Sequence, residues 1–437
     1  MEEKGSPLVQ LIENLEARLP DVEIIPIRSA SSNIFQIKLS GTYYIFIDDT
    51  AIESAANLYD YIFKVGYSHE KTILINFAID CKRLCRIFLE NGYGVHAYSA
   101  MDMGQKFIPE LSYTSYQSGL ETSLTTVDKT RFIDNYCRFS IFHEYAHVLL
   151  KKGKLNRERS AAYFREQISQ SPIIKMTVAE RRASLLEKSL KSNSKWFERE
   201  ASLFAQSKEF ENFYSSNPLE YLSDPLSLDE FICDDYACEQ LIQDASDNMT
   251  ELTELISNLT LMPFMHKFNN MLVYEMHWMM PFLAQRDVHM PELSDEDINV
   301  AQREYSQNNI SRYRYVQELF LRWEFLKMKI SNSISQNFPL LTPHMDTFVD
   351  IMETTVSKAT EASFDYTGPI HLWHNEPKLS VLKMAEHLQA QIADYKFPFQ
   401  QQGRLEGIKF GVEEYNNYLH PDLLILNRMR IGELQML

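Results

Sequence analysis

In the first part of the chain apolar residues fall in short bounded runs, Val22 to Ile27, Asn33 to Leu39 and Tyr43 to Ile47, rich in β-branched and aromatic side chains. Such runs predict strands, with a turn at Gly41 between the second and third. An amphipathic stretch follows the acidic start of the chain. Helical spacing recurs over 51–65 and 80–91, around a short apolar strand from Thr72 to Phe77. From about Thr130 the apolar period becomes mostly that of a helix, and 177–213, 226–245, 249–285, 309–334 and 378–394 fit amphipathic helices. Breaks are expected at Ser216-Asn217-Pro218, Met290-Pro291, Pro339 to Pro343, and Tyr366-Thr367-Gly368-Pro369. There is no internal repeat. The pattern predicts an α+β protein: a mixed α/β part over 1–130, a helical part over 131–289, and a helical C-terminal region over 290–437 that carries no diagnostic motif.

One helical run changes the picture from architecture to chemistry. Phe139 to Leu150 contains His143-Glu144-Tyr145-Ala146-His147, the H-E-x-x-H pattern, with apolar flanks and no proline. One helical turn brings His143 and His147 onto one face, where two imidazoles can bind one metal ion. Glu144, beside the first histidine, is then placed to act as general base on a metal-bound water. A catalytic zinc site needs a third protein ligand, and two downstream segments offer a helical carboxylate. In Glu230-Phe231-Ile232-Cys233-Asp234, Glu230 can bind metal while Asp234, one turn on, accepts the outer N–H of a ligand histidine. In Glu198-Arg199-Glu200-Ala201-Ser202, Glu198 or Glu200 can serve instead, with Ser202 where the supporting acid would stand. The sequence leaves the choice open.

An H-E-x-x-H helix followed by a helix with E-x-x-x-D resembles the gluzincin branch of zinc metallopeptidases. Arg138-Phe139-Ser140-Ile141 leading into His143-Glu144 and closing on Val148-Leu149-Leu150 is similar to the ImmA/IrrE family, and phage-exclusion proteases of the Lit type share this layout. The resemblance spans about residues 92 to 245. It implies a zincin-like core, a small sheet from 22–77 and part of 92–127 packed on the active-site helix, elaborated by a mostly helical C-terminal part. It further implies Zn2+ held by His143, His147 and Glu230, with Glu144 activating the zinc-bound water to cleave peptide bonds of a specific intracellular protein. The family's third ligand follows soon after the second histidine. Here Glu198 and Glu230 both lie far downstream, which requires an insertion, at about 151–195. The other reading is a regulatory or scaffold protein that uses the metal site for folding or partner binding. Tyr236, His266, His277 and the Arg312/Arg314 pair are alternatives for stabilising an oxyanion, His277 being more naturally a core residue on its Met-rich helix.

Composition narrows the setting. Of 437 residues, 60 are Asp or Glu and 43 Lys or Arg, a net charge of -17 that argues against general affinity for nucleic acid or anionic membranes. Five cysteines do not make a disulfide framework in so long a chain, and there is no export signal, so a reducing, cytoplasmic location is expected. Cys81 and Cys85 read as one helix face. The apolar stretch Ile256 to Leu283 is interrupted by His266, Lys267, Glu275 and His277 and is too polar to span a membrane. Its methionines suit a buried core more simply than a partner groove. His371 and His374 have no Cys nearby and only Glu376 among nearby acids to complete a metal site. Charge is uneven: residues 151–200 carry 13 Lys and Arg against 6 acids, whereas 211–260 carry 12 acids and no Lys or Arg. The two blocks are solvated faces that attract one another, or else the basic one is a docking surface or lid for an acidic partner.

Overall fold

The strands form as their composition predicts, Val22–Ile27 (β1), Ile34–Leu39 (β2) and Thr42–Asp48 (β3), in one sheet of order β1-β3-β2. The structure, a computed structural model, describes residues 7–27, 34–63, 128–171, 175–191, 198, 201–202, 205–206, 208–215, 218–265 and 318–373. Ser40 and Gly41, both at positive φ, turn β2 into its antiparallel partner β3, with Leu39 opposite Thr42. That is the backbone a two-residue hairpin needs to match strand twist. β1 runs parallel to β3 and places Pro26 opposite Ile47. A proline is tolerated there because β1 lies at the edge of the described sheet. Helix α1 (Pro7–Glu16) packs beside β1, and its Glu16 carboxylate accepts the Ile24 N–H at 2.9 Å.

Helices make up most of the remaining described residues: α2 (Asp49–Phe63), α3 (Lys129–Lys151), α4 (Arg157–Gln170), α5 (Val178–Lys191), α6 (Lys208–Ser215), α7 (Pro225–Ala245), α8 (Met249–Leu259), α9 (318–337) and α10 (Met345–Trp373). The described part of the chain is therefore α+β, a three-stranded sheet in a largely helical body. Buried side chains from Leu11 through Ala359 belong to one apolar cluster. None of the described helices is long and apolar enough to cross a membrane.

The stretch 177–213 contains α5 and, from Lys208, α6, with residues 192–197, 199–200, 203–204 and 207 outside the described residues. Two expectations need correction. The stretch 249–285 is interrupted after Leu259 by a turn at Thr260-Leu261. Pro263 explains the interruption: within a continuous helix its ring would meet the carbonyl of Leu259, whereas at the start of a new turn it is tolerated. The expected break at Tyr366 to Pro369 does not occur, since α10 continues to Trp373. The break at Pro339 to Pro343 does occur, as a single 3-10 turn at Thr342–His344 between α9 and α10. The strand 72–77, the helices 80–91 and 378–394, Cys81, Cys85, the break at Met290 and most of the methionine cluster lie outside the described residues.

Helix α3 lies at the centre. It packs on β2 and β3, on α2 and, most extensively, on α7. Its residues from Phe139 to Ala146 are all buried, so this helix is enclosed rather than amphipathic. Asp128 caps its start by accepting the Arg131 N–H at 3.0 Å. Its end is closed by Gly153 at φ 67°, with Gly153 N–H donating to Leu150 O at 3.0 Å and Lys154 N–H to Leu149 O at 2.8 Å. Helix α7 begins equally cleanly, with Asp224 accepting the Ser227 N–H at 3.1 Å and Pro225 in the first turn.

Candidate metal centre

The centre is built where α3 and α7 press together. On α3, His143 and His147 stand one turn apart with ring centroids 5.0 Å from each other; His143 is buried and His147 half-buried. On α7, Glu230, Cys233 and Asp234 occupy spacings i, i+3 and i+4, which one helix face presents together. Glu230 places Oε1 3.4 Å from His147 Nε2 and Oε2 3.6 Å from His143 Nε2. Ligands about 2.0–2.1 Å from a tetrahedral metal stand about 3.3–3.5 Å apart. The Oε1–His147 separation matches that spacing, and the Oε2–His143 separation, through the other oxygen of the same carboxylate, lies just beyond it. The donor types, two imidazole nitrogens and one carboxylate, also suit zinc.

Asp234 completes the geometry from behind. Its Oδ1 lies 2.9 Å from His143 Nδ1, deep in the interior. Burial raises the Asp234 pKa, but the Arg322 charge and hydrogen bonds from His143 and Arg322 outweigh it, holding the carboxyl below its ordinary value. An ionised carboxylate only accepts, so His143 Nδ1 carries the proton and Nε2 turns its lone pair toward Glu230 and His147. A carboxylate behind a ligand histidine fixes the tautomer a metal requires. Glu144 is buried, and its negative charge, with those of Glu230, Asp234 and Asp229, adds to burial in pushing the Cys233 thiol well up.

Two residues escaped the sequence reading. Cys233 Sγ lies with ligand nitrogens of His143 and His147 in a group whose atoms are all within 4.8 Å of one another, so a His-His-Cys donor set that could hold a metal ion is also present. Its i+3 spacing from Glu230 was the available signal. Arg322, on α9, is fully buried and donates from Nε and Nη2 to Asp234 at 2.5 and 2.7 Å and from Nη1 to Glu230 at 2.8 Å. The charged pair Arg322 and Glu324 within the otherwise apolar Phe320 to Phe325 was a visible anomaly, but nothing in the neighbours named the acids Arg322 would meet.

The other candidates separate. Glu198 is exposed, and Glu200 lies outside the described residues, as do His266, His277, Arg312, Arg314 and the side chains of His371 and His374. The Tyr236 ring packs beside Tyr145 at 6.3 Å, six residues past Glu230 and off the face that carries Glu230 and Asp234. The basic block is folded onto acidic neighbours. Arg157 donates to both oxygens of Asp229 on α7 at 2.6 and 2.8 Å, Arg182 meets Glu211 at 3.0 Å, and Arg181 stacks over Tyr214 at 5.0 Å. The basic and acidic blocks attract one another within the chain. No protein-family model, curated protein or solved structure matches this chain.

Proposed function

We propose that the chain is a zinc-dependent endopeptidase with a zincin-like core, acting on a protein or peptide substrate. The observation that carries this reading is the convergence of His143, His147 and Glu230 at ligand spacing, with Asp234 fixing the His143 tautomer. The sheet packed against α3 through β2 and β3 adds support. His143, His147 and Glu230 would hold the metal. Bound there, zinc supplies a Lewis acid that polarises a carbonyl and acidifies water. Glu144 takes the proton from the attacking water and returns it to the leaving amine as the peptide C–N bond breaks. Burial of Glu144 between α3 and α7 keeps it out of bulk solvent.

Glu144→Gln tests the reading. It removes the base and keeps both histidines, so peptide hydrolysis should fall by about 10²–10⁴-fold while zinc remains at one ion per chain by elemental analysis. Full hydrolysis by this variant, or wild-type protein purified without chelator that carries no zinc, would overturn it.

A second reading rests on Cys233. If its sulfur joins His143, His147 and Glu230, the coordination sphere closes, which is the mark of a structural site in a regulatory or scaffold protein. Cys233→Ser separates the two: a closed site loses zinc, whereas a catalytic site keeps both zinc and hydrolysis.

A further inference from the structure

We propose that Arg322 is the positioning residue of the metal centre, and that α9 is thereby an integral wall of it; this rests on the zinc reading above. Arg322 has no exposed surface and comes from a helix about ninety residues beyond α7 in sequence. Its planar fork holds Asp234 through two donors and Glu230 through a third, while Glu318 on the same helix stands 3.6 Å from Nη1. Glu318 is itself held by the Ser227 hydroxyl at 3.0 Å, near the start of α7.

The assignment of oxygens gives the arrangement its meaning. On Glu230, Arg322 takes Oε2 at 2.8 Å, and Oε1 is the oxygen that stands 3.4 Å from His147 Nε2. Oε2 is thus anchored where it also stands 3.6 Å from His143 Nε2, and Oε1 is left facing His147. On Asp234, Arg322 takes both oxygens, and Oδ1 also serves His143 Nδ1. One guanidinium therefore sets the rotamer of a ligand and of the residue behind another ligand. A lysine, with a point charge in place of a fork, can satisfy charge without reproducing both orientations. A group oriented in this way commonly changes metal affinity by about 10–100-fold when removed.

The test measures metal binding rather than turnover. Zinc affinity is determined by competition with a chromophoric chelator for wild type, Arg322→Lys, Arg322→Met and His147→Ala, and the visible spectrum is recorded after loading with Co(II). Both Arg322 variants should bind zinc at least about tenfold more weakly, with altered Co(II) bands in the folded protein. Should Arg322→Met fail to fold, Arg322→Lys decides alone, since it keeps the buried charge. A variant with lowered thermal stability but wild-type zinc affinity and Co(II) spectrum would show a merely structural ion pair and overturn the proposal. Wild type that binds no metal, or His147→Ala that binds it normally, would instead overturn the centre itself.

Discussion

Replacing Asp234 by Asn perturbs the centre most sharply, because it preserves size and removes one interior charge. Asp234 has no exposed surface, and all three of its close partners, His143 Nδ1 at 2.9 Å and Arg322 Nη2 and Nε at 2.7 and 2.5 Å, are donors. Asparagine keeps one acceptor oxygen and introduces an amide that must face at least one of those donors. Arg322 is left with Glu230 at 2.8 Å and Glu318 at 3.6 Å as its acidic neighbours. Removing one partner of a buried pair costs about 3–5 kcal/mol. The Arg18–Asp244 bridge at 2.6 Å is the internal comparison, since its side chains are 41% and 22% exposed. A bridge so placed contributes about 0–1 kcal/mol. The assay is urea denaturation of metal-free protein at pH 7, followed by tryptophan fluorescence, for Asp234→Asn and Asp244→Asn. The first should lose about 3–5 kcal/mol and the second about 1 at most. Equal losses, or a loss under about 1 kcal/mol for Asp234→Asn, would refute the view that burial makes this network dominant.

Glu230→Ala should weaken zinc binding by at least about tenfold while Glu198→Ala leaves it unchanged, as read by chelator competition; the reverse order would reassign the third ligand. Because the folded Asp234 pKa is depressed, its contribution to metal-free stability is present above the ordinary aspartate pKa of about 3.9 and is lost as pH falls through the folded value. Thermal midpoints of wild type and Asp234→Asn should accordingly differ by a constant amount near neutrality and converge only below about pH 4, and convergence at pH 6 would contradict the depressed value. Cys137 and Cys238 are buried with thiols pushed up to about 12, so iodoacetamide at pH 8 should leave both unlabelled until urea is added. Peptide mass spectrometry showing native labelling at either position would contradict their enclosure.

What the sequence made legible was whatever depends on local order. The strand runs with their Gly41 turn, the limits of α7, and the pairing of His143 with His147 all follow from spacing within one element. Glu230 and Asp234 were legible for the same reason, as one face of one helix. Long helices were misjudged where a single proline decides, in opposite directions at Pro263 and Pro369, because the outcome depends on whether the helix has a turn to end on. Arg322 could not be assigned at all. Its partners lie about ninety residues away, and no periodicity connects α9 to α7. Cys233 was hidden by the opposite circumstance, lying in plain view between two better donors.

The charge around Arg322 bears on the proposal that a metal ion is held here. Glu230, Asp234 and Glu318 surround one guanidinium, and Glu144 and Asp229 add negative potential at Cys233. Arg157 offsets Asp229 at the rim, and the Lys151 ammonium, at the end of α3, interacts with the charge of Glu144. His143 Nδ1 faces Asp234, which leaves His143 Nε2 facing Glu230 at 3.6 Å. A buried excess of carboxylates is expensive unless a cation or protons compensate it. On the proposed reading, a divalent ion at His143, His147 and Glu230 would compensate it without protonating Glu144, the proposed base. The carboxylates that would favour a dication include Glu144, the proposed base, which ties the proposed activity directly to metal occupancy.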